Sequence, residues 1–356
     1  MEKILVINPG STSTKIAVYE NETQLFVNSI EHSSEEIEKY DAIYDQFEFR
    51  KELVLNELKE HDVKPEELTC VVARGGLLPP VSAGAIRVNQ DMCDQLRLHP
   101  VNEHASNLGA PIAFSIAKPM NIPAFIYDPI TVDEMQPLAL FTGVPEMRRK
   151  SLGHHLNMRA MAHKYAKENG KKLEDVTVIT VHMGGGITVG LYDHGKIIDI
   201  VNDEEGPFSP ERAGGLPAPQ VVDLCFSGEY DAKGIKKKFK NSSGLQAYLG
   251  TKDARTVEKM IEEGDEQAKL AYEAMAYQIS KAIGELATVV CGRVDAIILT
   301  GGIAYSKMFT DWINERTSFI APNVVYAGEN EMASLSGGAL RVLRGEEEAK
   351  VFKKNF

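Results

Sequence analysis

Three glycine-bearing turns in this chain each follow a short apolar run, and each is furnished to hold an anion. The first is Asn8-Pro9-Gly10-Ser11-Thr12-Ser13-Thr14-Lys15. Its hydroxyls, its amide and the cation of Lys15 exceed what a hairpin turn needs. Successive backbone N–H groups in such turns form anion-binding concavities. The second is His182-Met183-Gly184-Gly185-Gly186. Three consecutive glycines between apolar strands point to close backbone approach by a ligand. The third, Gly301-Gly302 followed by Ile303, ends a buried run and precedes a helix. Open α/β sheets bind ligands at that position, and a helix start there favours anions. The first two turns together can hold a nucleoside triphosphate by both ends of its phosphate chain. The third supports an adenosine site.

Charged residues sit at matching places. Asp128 ends the apolar run AFIYD, and Arg74 ends CVVAR just before Gly75-Gly76. Arg212 lies in the aperiodic loop EGPFSPERAGGLP. His154 and His155 follow Arg148-Arg149-Lys150 and precede a helix. Glu329 and Glu331 open the last helix, where a first-turn acid also compensates the helix dipole. Cations beside a phosphate site suit phosphoryl transfer, whose main need is alignment and charge. No Cys/His spacing suits zinc. Magnesium is implied by a bound nucleotide, since it keeps waters and phosphate oxygens rather than a protein cage.

The elements that must position these residues occur twice. ILVINPGSTSTKIAVY and VITVHMGGGITVGLY lie about a domain's length apart and share one plan of strand, glycine turn and alternating strand. Meanders are expected over residues 3–30 and 176–201. The first is followed by a helix over 47–61, the strand CVVAR, a helix over 103–118 interrupted or restarted at Pro111, and the strand AFIYD. A helix over 155–169 leads into the second meander. After it come a long helix over about 265–290, the strand DAIILTGG, a helix over 306–316, a strand over 323–326 and a closing helix over 331–345. The long helix carries Ala268, Tyr272, Met275, Ile279, Ala282, Ile283 and Leu286 at three-to-four spacing. The basic run KGIKKKFK reads as a solvated face.

At 356 residues the chain has room for two ordinary domains. A net charge of −12 argues against nucleic acid as a partner, because phosphate-backbone affinity comes from Lys and Arg. Cys70, Cys93, Cys225 and Cys291 each adjoin an apolar stretch, so buried free thiols in a reducing compartment are expected. No signal-peptide pattern is seen, and no apolar run approaches the roughly 20 residues of a membrane span. The expectation is a cytoplasmic protein with no membrane partner.

A meander followed by alternating helices and strands, given twice, resembles the actin-like (ribonuclease H-like) nucleotide-binding fold. That resemblance implies an α/β protein of two such domains, with mixed five-stranded sheets flanked by helices and the nucleotide in the cleft between them. The domains are expected at 1–152 plus 331–356, and at 153–330. The stretches KILVINPGSTSTKIAVY, VHMGGGITVGLY, EGPFSPERAGGLP, NSSGLQAYLGTKDARTVEKM and ILTGGIAYS follow the order of the acetate/butyrate kinase family. VARGG, YDPITVDEM, LNMRAMA and GENEMASLSGGALRVLRGEE resemble its butyrate branch.

The resemblance implies reversible formation of an acyl phosphate from a short carboxylate, with ATP/ADP and Mg²⁺, by a homodimer or higher homo-oligomer. By position, Asp128 matches the catalytic Asp, Arg212 the second-domain Arg, and His154 the transition-state His. Asn8 and Glu331 match residues at the magnesium ion, which Asp128 joins. Ser11, Thr12, Ser13, Lys15, His182, Gly184, Gly185, Gly186, Gly301, Gly302 and Ile303 fall in the nucleotide-binding turns. Where acetate kinases show RVVHGG this chain has VVARGG, so their arginine falls on Val71, and Arg74, three positions on, is the candidate to replace it. Where they show FHGTSH it has GHHLNM, which leaves His154 and His155 as alternatives. The competing readings are an acetate or propionate kinase, a small-alcohol or sugar kinase of the same fold, and a non-catalytic ATP-switched actin-like protein.

Overall fold

The structure, a computed structural model, describes residues 1–353. Residues 354–356, part of the expected first domain, lie outside the described residues. The chain forms two compact units, Met1–Asp133 with the stretch from Asn330 onward, and Glu134–Glu329. Residues 134–152 therefore group with the second unit and not with the first. Hydrogen bonds explain why. The Gln136 N–H donates to the Ile198 carbonyl at 2.9 Å, and the Arg149 guanidinium reaches the Asp199 and Glu205 carboxylates at 2.9 Å each.

In the first unit, β1 (Lys3–Pro9), β2 (Ser13–Glu20) and β3 (Thr23–Glu31) form the expected antiparallel meander. β4 (Cys70–Arg74) lies parallel to β1, and β6 (Ala124–Tyr127) parallel to β4. Five strands were expected, but this sheet has seven. The additions are β5 (Ala85–Arg87), antiparallel to β6, and the edge strand Lys350–Val351. Leu5, Ile7, Val71 and Ala73 form one core with Val54 and Leu58 of the Phe47–Glu60 helix and Ile112 and Ala113 of the Gly109–Ala117 helix. The expected 103–118 helix is a short turn, Ala105–Leu108, and then this helix. Pro111 sits in its first turn, where a missing N–H removes no helical bond. The closing helix Glu331–Leu343 packs on β1, β4 and β6.

In the second unit, β7 (Thr177–Met183), β8 (Ile187–Asp193) and β9 (Lys196–Val201) repeat the meander. β10 (Ala296–Gly301) lies parallel to β7, and β11 (Asn323–Ala327) parallel to β10. This sheet has the expected five strands. The long helix Glu266–Val289 starts at Asp265, whose carboxylate accepts the Ala268 N–H at 2.9 Å. Its apolar stripe from Ala268 to Leu286 is buried on the sheet as its spacing predicts. The His155–Glu168 helix packs on β7 and β10.

The duplication extends to irregularities. The ladder between β2 and β3 slips at Val18/Tyr19, and that between β8 and β9 slips at Leu191/Tyr192. The register of each hairpin makes these equivalent positions. Two cysteine expectations fail. All four thiols are free, but only Cys70 and Cys93 are buried, whereas Cys225 and Cys291 are exposed. Cys225 ends the Ala218–Cys225 helix, which buries no side chain.

Candidate active site

Each unit gathers polar side chains at the C-terminal ends of its parallel strands, where backbone groups run out of sheet partners. In the first unit these are Asn8 near the end of β1, Arg74 at the end of β4 and Asp128 just past β6. Glu331 at the start of the closing helix joins two of them. Its carboxylate accepts Asn8 Nδ2 at 2.7 Å and Arg74 Nη1 at 2.8 Å. Arg74 is thereby held by an ion pair that leaves it partly exposed.

Asp128 is buried and has φ of 39°, a left-handed conformation that disfavours side chains. Such strain costs about 1–3 kcal/mol and persists where surroundings over-determine it. Here the Gly84 N–H donates to Asp128 Oδ1 at 2.6 Å. The flanking Ala83 and Ala85 are gripped in turn by the C-terminal segment. Lys350 Nζ donates to the Ala83 carbonyl, and the Ala85 N–H donates to Glu347 Oε1 at 3.0 Å.

The fit of magnesium rests on Asn8. Its Oδ1 is buried and has no partner among the described residues. No three His, Cys, Asp or Glu side chains form a cage among the described residues. An open amide oxygen beside a carboxylate, without a cage, suits an ion that retains waters and substrate oxygens.

In the second unit the rings of His154 and His182 stack with centroids 4.0 Å apart and an interplanar angle of 11°. His154 Nδ1 shares a hydrogen bond with Thr188 Oγ1 at 2.9 Å. Asn157 Nδ2 donates to His182 Nδ1 at 3.0 Å and to Thr300 Oγ1 at 3.2 Å. Accepting at Nδ1 puts the neutral ring's proton on Nε2, which lies 3.5 Å from a Glu329 carboxylate oxygen. Burial, and then the Arg212 charge, pull His182 down to about 4, so the ring is neutral near pH 7. His155 is buried, which pushes it to about 4 as well. His154 is the half-exposed member of the pair.

Two of the three glycines at 184–186 have close side-chain neighbours. A Cβ on Gly186 would lie 2.5 Å from Arg212 Nη1, and one on Gly184 3.0 Å from His182 Nε2. Arg212 therefore lies against the bare backbone of the second turn. It is ion-paired with Asp203, and its Nε has no acceptor among the described residues. Burial lowers its pKa from the usual arginine range. Gly301 has φ of 90° and touches the Met183 backbone, so the third turn closes directly on the second. Ile303 is buried behind it and Gly302 is exposed.

Thus Asn8, Arg74 and Glu331 come together, as do His154, His182, Gly186 and Arg212. Ser11 and Thr12 are exposed on the first turn, with Ser13 and Lys15 half-buried beside them. Asn157, Thr188, Thr300 and Asp203 belong to these clusters but are not among the residues expected from sequence. Thr188 was findable, because hairpin register places it opposite His182. Asp203, one acid within NDEEG, carries no local signal.

The fold matches the crystal structure of an acetate kinase from Porphyromonas gingivalis, with a TM-score of 0.80 and 18% identity over 96% of this chain and 100% of that one. The class is thus a two-domain α/β fold of the duplicated actin-like type. Residues 145–313 match the model of the acetokinase family. The chain is 51% identical to butyrate kinase 2 of Clostridium acetobutylicum over 99% of both chains. It is 49% identical to butyrate kinase 1 of that organism, over 99% of this chain and 100% of that one. The chain belongs to the acetokinase family.

Proposed function

We propose that this protein transfers the γ-phosphoryl group of ATP to a short-chain carboxylate, butyrate or a branched acid of similar size, and runs the reaction in reverse with ADP. The observation that carries this reading is identity near one half, along the whole chain, to two enzymes named butyrate kinases. The two clusters supply suitable chemistry. A carboxylate nucleophile with a pKa near that of Glu, about 4.3, is ionised at neutral pH. No general base is required, and the task is to align two anions.

Arg212 and Arg74 hold the acceptor carboxylate and the transferring group. His154 donates to the equatorial phosphoryl oxygens from a position fixed by Thr188 and by the neutral His182 ring. In the first unit, Ser11, Thr12, Ser13 and Lys15 hold phosphate oxygens. In the second, Gly184, Gly185 and Gly186 let the chain approach them, and Gly301, Gly302 and Ile303 face the adenosine. Magnesium, when bound, neutralises phosphate charge, and Asn8, Asp128 and Glu331 are the side chains that would hold it and its waters. The acyl phosphate then forms in one in-line displacement. The enzyme is cytoplasmic and works as a homodimer or a larger homo-oligomer, which light scattering would size. Among the described residues no helix is long and apolar enough to cross a membrane.

The test is a hydroxamate assay with ATP, Mg²⁺, hydroxylamine and separate acids from acetate to valerate. A maximum at butyrate, isobutyrate or valerate is expected. A maximum at acetate overturns the butyrate assignment, and silence with every acid overturns the reaction. Discrimination between neighbours is modest, since one methylene is worth about 1–3 kcal/mol.

A further inference from the structure

Arg50 is fully buried, although it lies on an otherwise ordinary helix, Phe47–Glu60. Its guanidinium reaches under the first turn. Nη1 donates to the carbonyls of Gly10 at 2.9 Å and Ser13 at 3.0 Å, and to Thr14 Oγ1 at 3.0 Å. Nη2 donates to the Ser11 carbonyl at 3.4 Å, and Nε to Gln46 at 3.0 Å. The remaining turn carbonyl, that of Thr12, accepts the His32 N–H at 2.7 Å, and the His32 ring bonds Thr14 Oγ1 at 2.8 Å. The carbonyls of Gly10, Ser11 and Ser13 are thus drawn to Arg50, and that of Thr12 to His32.

Geometry then dictates the outer surface. No peptide bond among the described residues is cis. In a trans peptide the C=O and the following N–H point in opposite directions. The N–H groups of Ser11 and Thr12 consequently face away from Arg50. Both residues are exposed, and neither N–H has an acceptor among the described residues. Behind this surface sits a full positive charge with no carboxylate partner among the described residues. Burial alone pulls Arg50 down to about 10, which still leaves it protonated near pH 7. A buried charge without a counter-ion is costly, and carbonyl dipoles offset only part of that cost.

We propose that Arg50 is the positioning residue of the phosphate turn: it orients the Ser11 and Thr12 N–H groups outward, and its charge is neutralised by the polyphosphate of the bound nucleotide. The inference rests on the reading of that turn as a phosphate site. Loss of Arg50 then weakens nucleotide binding selectively, because the acceptor acid has no part in this contact. Lysine keeps the charge but cannot span three carbonyls.

The experiment compares wild type, Arg50→Lys and Arg50→Met by steady-state kinetics and by inhibition with inorganic tripolyphosphate. For Arg50→Met we expect KM for ATP and the tripolyphosphate inhibition constant to rise about tenfold or more, the scale of one charge-assisted hydrogen bond. KM for butyrate should stay within about twofold, which separates this role from general loosening. Arg50→Lys should fall between. An unchanged KM for ATP in Arg50→Met, or both KM values rising together, overturns the proposal. If Arg50→Met does not fold, Thr14→Val removes one Arg50 acceptor and must still raise KM for ATP selectively. Failure of the functional reading would look different, because the wild-type protein itself would form no hydroxamate.

Discussion

Replacing Gly186 by alanine tests the placement of Arg212 with a single methyl group. The added carbon would sit 2.5 Å from Nη1 and 2.8 Å from Cζ, whereas ordinary contact begins at 3.4 Å. The guanidinium must retreat by about 1 Å, and a displacement of that size at a positioning group can cost about 100-fold in rate. This corresponds to about 2.7 kcal/mol of lost transition-state stabilisation. The fold should tolerate the change. The obstructing atoms are the end of a flexible side chain, and Gly186 does not have a left-handed φ. Removing backbone freedom from the unfolded chain adds about 0.4–1 kcal/mol in the other direction. Turnover of butyrate in the hydroxamate assay should therefore collapse while the Tm stays within a few degrees. Gly284→Ala is the control. Gly284 lies in the long helix, nothing stands within 4 Å of its added carbon, and the gain in stability should be about 1 kcal/mol without change in kcat. If Gly186→Ala keeps wild-type turnover, Arg212 is not held against the second turn in the reacting enzyme and its assigned role fails.

Other measurements probe other parts of the two clusters. His155 and His182 are held at about 4, against 6.5 for the unperturbed ring. The unfolded chain binds more protons between these values, so stability is complete above 6.5, falls through the window and levels below 4. Each ring contributes about 3 kcal/mol to the drop, and urea unfolding that is insensitive to pH across this window would contradict their burial. Glu331→Gln keeps the shape of the Asn8 and Arg74 partner but removes its charge. The half-saturating Mg²⁺ concentration should rise about tenfold, and an unchanged value removes Glu331 from the metal site. Glu347→Ala frees the Ala85 N–H beside the Gly84 contact to Asp128. Stability should fall by about 1–3 kcal/mol, with a loss of kcat measured well below the Tm. A lower Tm with full kcat would show that the C-terminal segment does not govern Asp128.

Strong local patterns carried the fold. The paired meanders and the stripe from Ala268 to Leu286 are long enough for their periods to be read. What escaped was short or depended on tertiary context. β5 has three residues and the Lys350–Val351 strand two, too few for alternation to show. Cys225 sits in an apolar run whose helix buries nothing, so apolar neighbours did not imply burial there. Arg50 looks like any charged residue on a surface helix, because its acceptors are carbonyls of a turn far away in sequence. Asn8, His182 and Arg212 are legible in the sequence because they are polar or charged residues beside glycine turns or in a glycine-rich loop. Their partners Asn157, Thr188 and Asp203 become visible only when register and loop course are known.

The duplicated register also shows how one scaffold came to carry two chemistries. Equivalent hairpin positions pair Asn8 with Lys15 in the first unit and His182 with Thr188 in the second. On the neighbouring parallel strands, Arg74 and Thr300 are the equivalent residues, each followed by a Gly-Gly pair. In both units a side chain from the first turn of a helix bridges these strands. Glu331 links Asn8 to Arg74, and Asn157 links His182 to Thr300. Both helices pack on the central parallel pair of their own sheet, β1 with β4 or β7 with β10. The bridging geometry was therefore retained while its content changed. The first unit presents a carboxylate and a guanidinium, groups whose charge can match a metal ion or an anion. The second presents an amide, a hydroxyl and a neutral imidazole, which orient a neighbouring histidine without adding charge to it. A swap that carries charge into the second bridge tests this division. Asn157→Asp would place a carboxylate against His182 Nδ1 and favour the protonated ring. If turnover depends on a neutral His182 beneath His154, kcat should fall at neutral pH and recover toward high pH as the ring loses its proton. A pH profile identical to wild type would mean that the stacked pair does not require a neutral partner.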